Sequence, residues 1–145
     1  MDLSNKGFAQ VAAVVVGAGY LVGGLIGFFI TGFDNFVQNT DYTLLSFDIN
    51  PFHNVFHTFV GAYLIIISRF GRPATEGALI GGGAVYLVAV FLGLTDNLQI
   101  LSMQGAGATD NFLHIVSGGT AVAVGLLSVS RNKRSEQLGE PLQQR

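Results

Sequence analysis

Apolar residues run along this chain in four long blocks, each closed by a short polar interval. Gly7 to Phe33, Ile49 to Ser68, Gly77 to Thr95 and Asn111 to Ser130 contain no charged side chain. Each block approaches the roughly 20 residues an α-helix needs to cross about 30 Å of hydrocarbon. The pattern predicts helices over residues 8–31, 52–69, 77–95 and 111–130. A transmembrane β-barrel is a poor match, because it would show ten-residue segments of alternating polarity instead of unbroken apolar runs. The first block follows one lysine, as a secretory signal would, but it exceeds the apolar core of about 7 to 15 residues such signals use. No small-x-small cleavage site closes it, so it is read as a true span. Four spans occupy residues 1–130 as one membrane domain. The polar remainder, residues 131–145, is expected to be a disordered cytoplasmic tail whose basic start sits near anionic lipid. The predicted class is an all-α polytopic membrane four-helix bundle.

Composition agrees with that solvent. Of 145 residues, 50% are hydrophobic, 11% are charged and 20 are glycine, too apolar for an ordinary soluble domain. Charge placement then orients the chain. The seven basic residues, Lys6, Arg69, Arg72, Arg131, Lys133, Arg134 and Arg145, fall in the two terminal segments and the interval between the second and third blocks. The positive-inside rule puts those parts in the cytoplasm and the loops around Asp41 and Gln104 outside. The expected location is a bacterial inner membrane, or a thylakoid membrane in a phototroph. Asp34, Asp41, Asp48, Asp96 and Asp110 gather on the outer side, so the net charge of −2 conceals a dipolar molecule with no argument for nucleic-acid binding. Cysteine is absent, which removes disulfides and thiolate metal sites.

The blocks resemble one another in pairs. "NVFHTFVG" (Asn54 to Gly61) aligns with "NFLHIVSG" (Asn111 to Gly118) at an offset of 57, sharing N-x-x-H-x-x-x-G, and "GAGYLVGGLIG" (Gly17 to Gly27) aligns with "GAVYLVAVFLG" (Gly83 to Gly93) at an offset of 66. Two copies of a helix pair share one orientation, so their pseudo-twofold axis should run along the membrane normal. His57 and His114 are then expected at one depth, near the outer ends of neighbouring helices. "NPFHNVFH", the later "DNFLH" and four short spans with basic inner loops resemble a family of small bacterial four-helix membrane proteins known only by a domain-of-unknown-function label. That resemblance supports the architecture and contributes no chemistry.

Candidate chemistry rests on the histidines. His53 and His57 lie four residues apart and share a helix face; Asn54 and His57, like Asn111 and His114, lie three apart. Ionisable groups within a membrane are costly and face a bundle interior or a partner. In a structural reading, Asn54 and Asn111 sit at helix starts and the imidazoles bond to them or to the opposite loop, while Gly61 and Gly118 allow close approach. In a second, His57 and His114 ligate a haem or another tetrapyrrole, with Gly61 or Gly118 clearing room for the macrocycle. In a third, His53, His57, His114 and Asp110 hold a divalent metal such as zinc or non-haem iron. A proton relay or transport role is a fourth.

Other signals lead less far. Ser117 beside His114 lacks a partner helix poised as base, and the glycines of "GAGYLVGG" lie inside a span, where a nucleotide loop has no preceding strand. No enzymatic activity is expected. Gly19, Gly23 and Gly27 recur every four residues and predict a smooth packing face, with Gly77 and Gly81 beginning another. Such faces either pack the bundle internally or dock it, as an accessory or assembly subunit, onto a larger membrane complex or a second copy. "SRFGRPATEG" (Ser68 to Gly77) reads as an inner connector broken by Gly71 and Pro73, with Glu76 in the next helix's first turn. The mixed outer segment Asn35 to Pro51 is expected to lie along headgroups or to cap the histidine end.

Overall fold

The computed structural model describes residues 7–103 and 105–139. The calls on Lys6, Gln104, Pro141 and Arg145 lie outside them. Four helices dominate: α1 (Phe8–Thr31), α2 (Pro51–Ile67), α3 (Arg72–Leu94) and α4 (Thr109–Leu138). The only strands among the described residues are β1 (Thr43–Leu44) and β2 (Phe47–Asp48), an antiparallel pair in the loop between α1 and α2. α1, α3 and α4 are long and apolar enough to cross a membrane, and α2 is a shorter apolar helix of 17 residues, which rises about 25 Å at 1.5 Å per residue. The molecule is an all-α membrane bundle.

Local chemistry sets the helix ends. Asn50 caps α2, its side chain accepting from the His53 amide at 2.8 Å, and Pro51 supplies a pre-set first turn. Gly71, at φ 97°, turns the chain from α2 into α3 in a conformation that favours glycine, and Pro73 sits in the first turn of α3. α3 therefore starts at Arg72, ahead of the charge-free block that begins at Gly77. α4 also outruns its predicted end. Instead of a disordered tail from residue 131, the helix continues to Leu138 and stops at Gly139, φ 65°. No helix breaker intervenes, and the extension is anchored: Arg131 stacks on the Phe8 ring at 5.5 Å and Asn132 donates to Glu76 at 2.7 Å.

α1 packs chiefly on α2, and α3 on α4. Glycines set both approaches. A Cβ at Gly17 would lie 2.8 Å from the Gly61 carbonyl oxygen, and one at Gly83 would lie 2.6 Å from that of Gly118. Nearer the histidine end, Gly27 faces the Asn54 amide and Gly93 faces that of Asn111 too closely for any side chain. In lipid, where apolar burial drives little helix association, this backbone proximity supplies the packing. The expected face of Gly19, Gly23 and Gly27 needs correction. Gly27 packs, but a Cβ at Gly19, Gly23, Gly77 or Gly81 would meet nothing within 4 Å. The stripe turned toward α2 is Gly17, Gly24 and Gly27, spaced by seven and three residues; Gly19 and Gly23 fall on another side of the cylinder.

The two helix pairs meet through Tyr20 and Tyr86, whose rings are 5.4 Å apart, and through the α1–α2 and α3–α4 loops. Asn50 donates to the Gln38 carbonyl at 3.0 Å and to the Ile100 carbonyl at 2.9 Å, and the Thr40 amide donates to Ser102 at 2.9 Å. These bonds sew the α1–α2 loop to the α3–α4 loop. The loop caps the histidine end, one of its two expected placements.

Candidate metal centre

The site is assembled by helix α2, helix α4 and strand β2. Asn50 starts α2 so that His53 and His57, one turn apart, point the same way, and His114 enters from the matching turn of α4. One side-chain nitrogen from each of His53, His57 and His114 lies within 4.8 Å of the others. His53 and His114 are buried, 1% and 3% exposed, and His57 is half-buried.

Hydrogen bonding fixes part of the protonation pattern. His53 Nδ1 lies 3.0 Å from the Asp48 carbonyl oxygen, which only accepts, so Nδ1 carries a proton. In neutral His53 that leaves Nε2 with its lone pair, and Nε2 lies 3.1 Å from His57 Nε2. His114 Nδ1 is buried without a hydrogen-bond partner. Aromatic edges close the flanks: Tyr20 stands 4.9 Å from His57 and Tyr86 5.0 Å from His114.

The donor set suits a first-row divalent ion. An ion about 2.0–2.1 Å from each imidazole nitrogen in tetrahedral geometry requires nitrogen separations of about 3.3 Å. The His53–His57 pair stands at 3.1 Å, and the His114 nitrogen, within 4.8 Å of both, would close on a shared ion only by a further approach. The Asp48 carbonyl behind His53 is the kind of outer partner that orients a ligating imidazole.

Asp110 does not join the set as expected. Its Oδ2 accepts the Asp48 amide at 2.9 Å, so it holds β2, which in turn holds His53. The asparagines also serve otherwise than as helix caps. Asn54 donates to Thr31 at 2.9 Å, joining α2 to α1, and Asn111 donates to the Gly105 carbonyl at 3.1 Å. The room for a tetrapyrrole expected beside Gly61 and Gly118 is filled: Gly61 meets the α1 backbone at Gly17 and Leu21, and Gly118 meets Gly83 and Tyr86. Between the His57 and His114 rings, whose centroids are 6.1 Å apart, His53 packs against both, at 4.4 Å and 6.0 Å.

Sequence reasoning missed Asn50, Asp48, Tyr20 and Tyr86. The tyrosines were legible, since they occupy matching places in the aligned segments. The Asp48 contribution was not, because a backbone carbonyl leaves no mark in sequence.

A family model described as "Domain of unknown function (DUF4383)" matches residues 10–127. The chain belongs to the DUF4383 family. No curated protein and no solved structure matches it. Within this family member the only group of three or more histidine or acidic side chains placed to hold one ion, among the described residues, is the His53, His57 and His114 trio.

Proposed function

We propose that this DUF4383 protein is an integral membrane protein that holds one divalent transition-metal ion, of the zinc or iron(II) type, with His53, His57 and His114. The observation that carries the reading is the convergence of three imidazoles in which the inner nitrogen of His53 is committed to Asp48 and its outer nitrogen faces His57. A hydrogen bond between two imidazoles would account for one pair. It leaves the third buried ring without a partner for Nδ1, and an ion gives all three a common purpose. Three protein nitrogens leave a coordination position open, as in sites that act on a bound molecule, and not the closed four-ligand set of structural zinc.

Two further readings belong to this proposal. The chain arose by duplication of a helical hairpin, which the matching Gly17–Gly61 and Gly83–Gly118 approaches and the matching Tyr20–His57 and Tyr86–His114 ring pairs support. The metal end faces away from the cytoplasm, in a bacterial inner membrane, which the placement of the basic residues supports.

Elemental analysis of protein purified in mild detergent from metal-replete cells tests the site. One ion per chain, lost from a His57→Ala, His114→Ala double variant that still runs as a single species, is the expected result. A metal-free protein that takes up neither Zn²⁺ nor Co²⁺ overturns the reading. The alternative, an accessory subunit docked through exposed glycine faces, is favoured by the open space over Gly77 and Gly81. It predicts stoichiometric partners in the same preparation.

A further inference from the structure

A groove of about 320 Å³ lies against α1 beside the hairpin, with His57 among its lining residues. Gly19 and Gly23 of α1, Leu45 and Phe47 of the hairpin segment, and Ser117 of α4 line it as well. His57 is the half-buried member of the trio and the only one to line this groove. The glycines that do not pack the helices thus have a place. Because a Cβ at either would meet nothing within 4 Å, their smallness leaves space over α1 that no part of this chain uses.

The lining restricts the occupant. It contains no Lys, Arg, Asp or Glu, so nothing there neutralises a phosphate or a carboxylate. Its polar groups, among them His57, Tyr20, Asn54 and Ser117, are uncharged or neutral donors and acceptors, and the rest is aliphatic, aromatic or glycine. The volume is near the lower end of small-molecule pockets, about 300–1,000 Å³, too little for a two-chain lipid. Leu45, 82% exposed at the hairpin tip, continues the apolar wall outward.

We propose that this groove binds a neutral, single-tailed, membrane-soluble molecule with an oxygen-bearing ring head, of the quinone class, with its head at His57 and its tail along Gly19 and Gly23. The proposal rests on the metal reading for what the head meets, since the coordination position left open by three imidazoles is where an oxygen donor binds. The groove itself is independent of that reading.

Gly23→Leu, at a position where an added Cβ meets nothing within 4 Å, puts a side chain into the groove, and Gly81→Leu, at an equally open position on α3, is the control. Binding of a decyl-tailed benzoquinone to the detergent-purified chain is measured by titration calorimetry, with decanoate as the charged competitor and metal content measured on the same samples. Expected are one saturable site per chain, at least tenfold weaker binding in Gly23→Leu, no change in Gly81→Leu, and no displacement by decanoate. Binding that Gly23→Leu leaves unchanged, absence of saturable binding to metal-loaded protein, or displacement by decanoate overturns the proposal. Saturable binding lost in Gly23→Leu but present in a protein that holds no metal supports the groove and removes the metal reading alone.

Discussion

The two ends of the bundle each bury a polar cluster, and the clusters are finished differently. At the end of the α2–α3 turn, Glu76 on α3, 7% exposed, accepts from Ser128 at 2.6 Å and from Asn132 at 2.7 Å, while Asn132 also accepts from Arg72. Gln10 repeats the device on α1, accepting the Gly7 amide at 3.0 Å and donating to the Ser68 carbonyl at 2.9 Å. At the histidine end, His114 Nδ1, Asp110 Oδ1 and Asn111 Oδ1 are buried without partners. Buried polar atoms are ordinarily paired, so a carboxylate matched to its donors reads as a staple between α3 and α4, and a cluster with spare acceptors reads as a place prepared for something else.

That contrast can be broken most forcefully at the glycines that bring the helices together. Gly61→Leu places a side chain against the α1 backbone and is expected to cost about 3 kcal/mol, while Gly19→Leu at an open position costs little. Thermal unfolding in detergent compares them, and equal losses would contradict the packing assigned to Gly61. Next in size is Glu76→Ala. It strips the acceptor from two donors and is expected to destabilise by about 2–3 kcal/mol while leaving metal content untouched. Loss of metal in that variant would mean the two ends are not separate devices.

Removing metal from the wild type sharpens the comparison from the other side. If the ion binds only the folded chain, a free concentration one hundredfold above its dissociation constant stabilises by about 2.7 kcal/mol. A chelator should remove that stabilisation, seen as a lower wild-type melting temperature, and leave His57→Ala, His114→Ala unmoved. The smallest effect belongs to Asp110→Asn. Asp110 orients β2, whose Asp48 carbonyl orients His53, so metal affinity should fall about tenfold with the stoichiometry retained. Complete loss of the ion would make Asp110 a ligand after all.

Much of the fold was legible because lipid imposes a simple rule on sequence. The first block was read as residues 8–31, and α1 runs Phe8–Thr31. His57 and His114 were paired from the N-x-x-H-x-x-x-G repeat, and their rings lie 6.1 Å apart. What escaped depended on backbone or on distant partners. The start of α3 and the extension of α4 were hidden because a charge-free block marks where lipid begins and ends, and a helix can continue past it. Glu76 looked like a first-turn carboxylate, since nothing in its own segment announces Ser128 or Asn132, more than fifty residues away. The glycine spacing misled in an instructive way. Gly19, Gly23 and Gly27 trace one smooth line on a helical drawing, yet α2 sits against Gly17, Gly24 and Gly27, a choice made by Asn54 and Gly61 on the other helix.

The most direct test of the metal centre is X-ray absorption at the zinc edge on wild-type protein loaded with one equivalent of Zn²⁺ in detergent. The proposed site predicts about three imidazole scatterers at about 2.0–2.1 Å with a lighter fourth ligand, and their loss in the His57→Ala, His114→Ala variant. A shell of oxygen alone, or a spectrum identical in that variant, would contradict it.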